Sequence, residues 1–328
     1  AGEARADAAL AFVFRFADFE ATHTLDRVDI PIVSMVSLYG RSEADWRDSP
    51  MGLSMFEGTF QVAVPELAGL VAPTVVGSQE RRYDADTVLT IVQRRPIAPR
   101  VTMVVRRAIK YGRLGTTSNR DKRVAVLYYN YPPGKAGIGA SYLNVADSLS
   151  AILRRLHAEG YDLGAIDSDT DLTSDRVLEA VTTRGRNVAG HAPGELDELL
   201  AAGDAELVSV TDYQQWLGAY DPAFRDKVLA DWGPPAESQL MATTGPDGPA
   251  FVIPVVRFGN VVLMPQPARG WGEDLDKLYH AKDLAPPHQY VAAYAWLRNG
   301  FHADAVVHLG THGTLEWLDG KDIGQSAE

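Results

Sequence analysis

The sequence predicts a multidomain α/β fold, with lobes built on parallel-containing sheets that carry helices on both faces. Three observations lead there. Short apolar runs rich in β-branched residues recur along the chain, as buried strands do. Between them lie stretches whose apolar residues repeat at helical spacing. Gly, Pro and Asn clusters separate the two kinds of segment, and strands alternating with helices form a parallel sheet covered on both faces.

Taken in order, residues 9–16, 30–38 and 71–76 are apolar runs expected as buried strands. Residues 53–70 have helical spacing, and Pro65 should end or kink that helix. Pro99 opens a second helical pattern through Tyr111, and the polar tract 115–122 marks a boundary. A strongly apolar strand follows at 123–129, then a Gly/Pro-rich loop at 130–139. Residues 141–160 read as a helix stopped by Gly160. Further helices are expected at 174–180, 193–202, 211–217 and 221–232, before a break at 233–235. The tract 242–248 reads as loop. Residues 251–257 and 260–264 read as a hairpin turning at Phe258-Gly259. A loop at 265–272, a short helix to Tyr279, an amphipathic helix at 287–300 and a buried strand at 303–309 complete the pattern. The expected domains are an α/β lobe at 1–118, a second at 119–240 with the Gly/Pro-rich ligand loop, and the start of a His-rich domain at 241–328. The chain opens on Ala-Gly-Glu and stops seven residues after Lys321, which reads as a piece of a longer protein.

Composition narrows the function. A chain that is 46% hydrophobic with mixed charges can build cores. Its net charge of -12 gives no general attraction to phosphate backbones, so a nucleic-acid partner is not expected. The basic stretch 94–123 reads as a solvated helix face, or at most a local anion or partner surface. Without cysteine, the chain has no disulfide, thiolate metal site or thiol nucleophile. No apolar run reaches membrane-spanning length, and the expected location is the cytoplasm.

Three segments could carry chemistry. The loop 130–139, with Asn130 and Lys135, sits between a strand and a helix, where α/β sheets bind ligands. It lacks the Lys-Ser/Thr pair of a nucleotide phosphate loop, and it reads equally well as a structural turn. The loop 265–272 presents Arg269 and Trp271 between prolines and glycines. Arg pairs with carboxylates and Trp stacks on flat rings; alternatively Trp271 anchors the loop and Arg269 stays on its surface. Five of the eight histidines fall between 280 and 312: His280, His288, His302, His308 and His312. With Glu316, His308 and His312 could hold a divalent metal transiently or relay protons. Any one of them could also be a hydrogen-bonded core residue. The zinc-peptidase pattern fails, because Leu309-Gly310 follows the first His.

The run Ala303-Asp304-Ala305-Val306-Val307-His308-Leu309-Gly310-Thr311-His312-Gly313-Thr314-Leu315-Glu316-Trp317 resembles a signature of the cobaltochelatase large subunit and magnesium-chelatase H subunit family. So do Pro265-Gln266-Pro267 with Arg269-Gly270-Trp271, then Tyr279-His280, Pro287-His288-Gln289-Tyr290 and Asn130-Tyr131-Pro132-Pro133-Gly134-Lys135, in family order. The resemblance runs from about Leu25 onward. It implies part of a large tetrapyrrole-binding subunit that inserts Co2+ or Mg2+, with an AAA+ ATPase subunit and its co-subunit as partners that use the ATP. Glu316, His312 and His308 would be catalytic and would meet the metal. Arg269, Trp271, Asn130, Lys135, His280 and His288 would meet the ring. Asp319 stands where the family usually has Pro. Residues 311–317 resemble the cobalt branch, whereas 130–144 resemble the magnesium branch and more divergent members, some of which act on haem.

Overall fold

The computed structural model describes residues 6–12, 29–130, 137–166, 169–188, 192–269, 284–310, 318 and 321. They fall into two compact units, Ala1–Thr117 with Gly320–Ala327, and Ser118–Asp319. Both are α/β, and both contain parallel strands.

The first unit holds a four-stranded sheet of β1 (Ala9–Ala11), β2 (Ile32–Ser37), β3 (Val71–Asp84) and β4 (Leu89–Pro96), in that spatial order. β1, β2 and β3 are parallel, and β3 and β4 form a hairpin. One face packs Val36, Val75 and Ile97 against Trp46 and Leu53. The other packs Val33 and Val76 against Val104 and Ala108 of helix α1 (Ala98–Thr116). Helix covers both faces, so the middle strands can be apolar throughout. Pro65 does not stop its helix. The segment runs from Met55 to Leu67 through a wide π turn, Thr59–Ala63, just ahead of the proline. Two expectations need correction here. The strand at 71–76 runs on to Asp84, and Arg94–Pro96 belongs to β4 rather than to a basic helix. The far part of this hairpin is exposed on both faces, so it lacks the alternation that marks a half-buried strand.

The second unit has β5 (Val124–Tyr128), β6 (Glu206–Ser209), β7 (Ala242–Gly245), β8 (Gly248–Ile253), β9 (Val256–Phe258), β10 (Val261–Pro265) and β11 (Ala305–Leu309). Its main sheet runs β11-β5-β10-β9, with β11, β5 and β10 parallel and β9 antiparallel. A small antiparallel sheet runs β6-β8-β7. Alternate residues of β5 feed two cores. Val124, Val126 and Tyr128 pack with Leu149 and Leu153 of α2 (Val145–Ala158) and Val177 and Val181 of α3 (Ser174–Arg184). Ala125 and Leu127 face Phe251 and Ile253 of the small sheet, α5 (Val210–Leu217) and α7 (His288–Asn299). Helices α4 (Pro193–Ala201) and α6 (Pro222–Trp232) complete the unit's long helices.

Four further expectations change. The division near residue 240 does not exist, because β5 pairs directly with β10 and β11 in one sheet. The tract 242–248 is not a loop but β7 and the turn into β8. The strand at 251–257 is two strands in different sheets, split at Pro254, which cannot donate to a ladder. Helix α7 is buried on nearly every face rather than amphipathic, and β11 is an exposed edge rather than a buried strand.

Candidate functional site

The parallel strands β5, β10 and β11 end side by side, at Tyr128, Pro265 and Leu309. In open α/β sheets ligands bind beyond such carboxyl ends. Three sequence-selected residues, Asn130, Arg269 and His308, lie at or just beyond these strand ends. Asn130 follows β5, Gln266 to Arg269 follow β10, and His308 lies near the end of β11.

The loops are tied together by buried amides. The Asn187 backbone N–H donates to Asn130 Oδ1 at 2.8 Å, and its side-chain amide donates to the Gln266 carbonyl at 2.8 Å. The Gln266 N–H donates to the Tyr128 carbonyl at 2.7 Å. Gln289 donates to the Ala268 carbonyl at 2.9 Å. These groups are removed from water, so losing one bond leaves a buried polar atom unpaired. The cross-links thus fix the paths of two loops over the strand ends. Tyr128 itself points back into the unit and donates to the Gly185 carbonyl.

Helix α7 supplies the next layer. Tyr290 and Tyr294 lie one turn apart with ring centroids at 5.2 Å. The Gln266 side-chain amide donates to Tyr294 Oη at 2.8 Å and reaches Tyr290 Oη at 3.3 Å. Burial pushes the Tyr294 hydroxyl up to about 12, against hydrogen bonds from Gln266 and Tyr290 that lower it. It therefore stays protonated at neutral pH. Its ring stacks on His308, centroids 6.2 Å apart and planes within 18°. His308 is exposed along the strand edge. Desolvation on its inner side nevertheless holds its pKa below the ordinary value, so near neutral pH the imidazole is a free base able to take a proton.

Arg269 is buried at the end of this loop, rather than on its surface. A buried guanidinium is costly unless anions or dipoles surround it. His288 has a different setting. Its Nε2 donates to the Gly233 carbonyl and its Nδ1 accepts from Tyr213 Oη, both at 2.9 Å. Both nitrogens are committed inside the unit, and burial lowers its pKa. This geometry makes His288 a neutral brace between α7, α5 and the Gly233 turn. Lys135, Trp271, His280, His312 and Glu316 lie outside the described residues. Among the described residues no cluster of His, Asp and Glu could hold a metal ion.

The CobN/Magnesium Chelatase family model matches residues 2–328. The chain belongs to this family. It is 33% identical over 305 residues to the aerobic cobaltochelatase subunit CobN of a Sinorhizobium species, covering 92% of this chain and 22% of that protein. It is 28% identical to the chloroplastic magnesium-chelatase subunit ChlH of Oryza sativa subsp. indica, covering 94% of this chain and 20% of the relative. The solved catalytic subunit of cobaltochelatase from Mycobacterium tuberculosis superposes with a TM-score of 0.78 at 32% identity, covering 98% of this chain and 27% of that one. The chain thus spans between a fifth and about a quarter of the length of these family members.

Asn187, Gln266, Tyr290 and Tyr294 had no role assigned from sequence alone. Gln266 and Tyr290 stand inside motifs that resemble the family. The signal for the tyrosines was their four-residue spacing on a helix, which puts both rings on one side. Asn187 gave no signal. Its role follows only from the loops that the fold brings to it.

Proposed function

We propose that this chain is part of the tetrapyrrole-binding subunit of an ATP-dependent cobaltochelatase, which inserts Co2+ into hydrogenobyrinic acid a,c-diamide during cobalamin biosynthesis. One observation carries the reading: likeness over 98% of the chain, at 32% identity, to a cobaltochelatase catalytic subunit. Cobalt and the ring are substrates here. An AAA+ ATPase subunit and its co-subunit act as partners in the cytoplasm and use the ATP. No helix of the described residues is long and apolar enough to cross a membrane.

Insertion exchanges ring N–H protons for one divalent ion, one proton from a corrin and two from a porphyrin, so a site must accept protons as metal enters. His308, its ring nearly parallel to that of Tyr294 and its pKa lowered by desolvation, suits one transfer. Glu316 and His312 are the proposed second acceptor and relay, and the three also hand over the metal. Arg269 and Trp271 hold the ring and its carboxylates, with Asn130, Lys135 and His280 around it. Glu316→Gln should abolish insertion by the complete enzyme and leave ring binding intact. Normal turnover by that variant would remove Glu316 from the chemistry.

Likeness of similar extent to ChlH keeps magnesium insertion into protoporphyrin IX as the second reading. Haem dechelation is separated from both by titration with haem, and a non-catalytic binding module by the Glu316 and His312 variants, because such a module keeps ring affinity and has no insertion activity to lose.

A further inference from the structure

The first unit carries an apolar groove that the chemistry above does not use. Its floor is the edge strand β1 and its wall is α1. Ala8 and Leu10, Val105 and Ile109 of the helix, and Asp7 and Arg113 at the ends line about 480 Å³. Leu10 is 40% exposed, Phe12 53%, Val105 40% and Ile109 51%. Leu10, Val105 and Ile109 share the groove, so these exposed apolar side chains are grouped rather than scattered. Val101, Val105 and Ile109 repeat every fourth residue and so lie in one row along α1.

The charge beside this row is one-sided. Helix α1 carries Arg100, Arg106, Arg107, Lys110 and Arg113, and no Asp or Glu. Arg100 is buried and donates to the Val75 carbonyl, and Arg107 donates to Thr74. Arg106, Lys110 and Arg113 are exposed. At 100° per residue they flank the apolar row on the side away from the sheet. A basic rim beside an apolar row is unexpected in a chain of net charge -12. On its own the row would only mark a sticky face. The rim says what covers it.

We propose that this groove docks an acidic amphipathic helix of a partner protein, its apolar stripe on Leu10, Val105 and Ile109 and its carboxylates on Arg106, Lys110 and Arg113. The sheet supports a helix as occupant. Among the described residues, α1 packs over the middle strands and touches β1 while leaving Leu10 partly exposed beside it, which is where a second helix packs in an α/β layer. Apolar anchors every third or fourth residue are how helices are read in such grooves.

The test is a fluorescence-anisotropy titration of this chain with a labelled peptide about 18 residues long, with Leu and Glu placed at helical spacing. A scrambled peptide and a version with Lys in place of Glu are the comparisons. The Leu/Glu peptide should bind at least about tenfold more tightly than either, and should weaken as salt rises. Ile109→Glu should abolish binding. Lys110→Glu with Arg113→Glu alters only exposed side chains, should keep the circular dichroism of the parent, and should also abolish it. The proposal fails if no peptide binds, if all three bind alike, or if the double charge variant binds as the parent does. Tighter uptake by phosphatidylserine vesicles would make the face a membrane surface and overturn it. Self-association in light scattering that Ile109→Glu removes would make the occupant a second copy, and would overturn it equally.

Discussion

Gln266 shows how much one side chain can organise. Its backbone N–H holds the β5 carbonyl end, its carbonyl accepts from Asn187, and its side chain reaches two tyrosine hydroxyls. Through Tyr294 it also fixes the ring on which His308 lies. His288 braces the same helix at its first residue, and its titration gives a prediction. Its folded pKa lies below the ordinary 6.5, so the unfolded chain binds more protons. The stability it confers is therefore complete above that value and is lost as pH falls through the folded pKa. His288→Ala should destabilise the unit by about 1–3 kcal/mol and flatten the loss of stability below pH ~6.5. Chemical denaturation from pH 5 to 8 measures both, and an unchanged acid limb would assign the pH dependence elsewhere. Arg269→Ala should weaken ring binding by about 1.5–3 kcal/mol if a charge-assisted hydrogen bond to a ring carboxylate is lost. An unaltered dissociation constant would remove Arg269 from the ring contacts. Single residues were legible from sequence only where chemistry marked them. Arg269 and His308 stood out as charge and imidazole, and their neighbourhood did not, because Asn187 reaches Asn130 and Gln266, and Tyr294 reaches His308, through the fold rather than along the chain.

Elements were most legible where burial imposes a period. β2, β5, β10 and the helices α2, α3, α5 and α7 lie where apolar spacing puts them. The exposed hairpin of β3 and β4, and the short strands β6 and β7, escaped because little of their surface is buried. Turn chemistry, by contrast, was plain at Phe258-Gly259. Gly259 has φ of +50°, and a Cβ there would lie 2.7 Å from the Asp162 carbonyl oxygen. The close approach seats the β9–β10 hairpin on the loop after α2, where the Asn260 N–H donates to the same carbonyl at 2.9 Å. Gly259→Ala should lower stability by about 1–3 kcal/mol or more, through backbone strain and overpacking together. A thermal midpoint equal to the parent's would show that this loop yields without cost. At β11 the outcome ran the other way. Its apolar sequence fits a strand buried on both faces, yet Val306 and Val307 are 43% and 40% exposed at the sheet edge.

On the scale of the whole molecule, α/β architecture was readable from alternation alone, but the number of units was not. A sheet whose strands come from residues 124–128, 261–265 and 305–309 joins segments that composition separates at the Gly/Pro break near 233–248. Family membership rests on ordered motifs and is now carried by the match over residues 2–328. The central claim, that this chain serves a cobalt-inserting tetrapyrrole subunit, is tested most directly by titrating the intact protein with hydrogenobyrinic acid a,c-diamide, protoporphyrin IX and haem, followed by optical spectra. Tight, saturable binding of the corrin precursor, with weaker binding of the two porphyrins, is the expected result. Preference for protoporphyrin IX or haem, or no saturable binding of any ring, would contradict it.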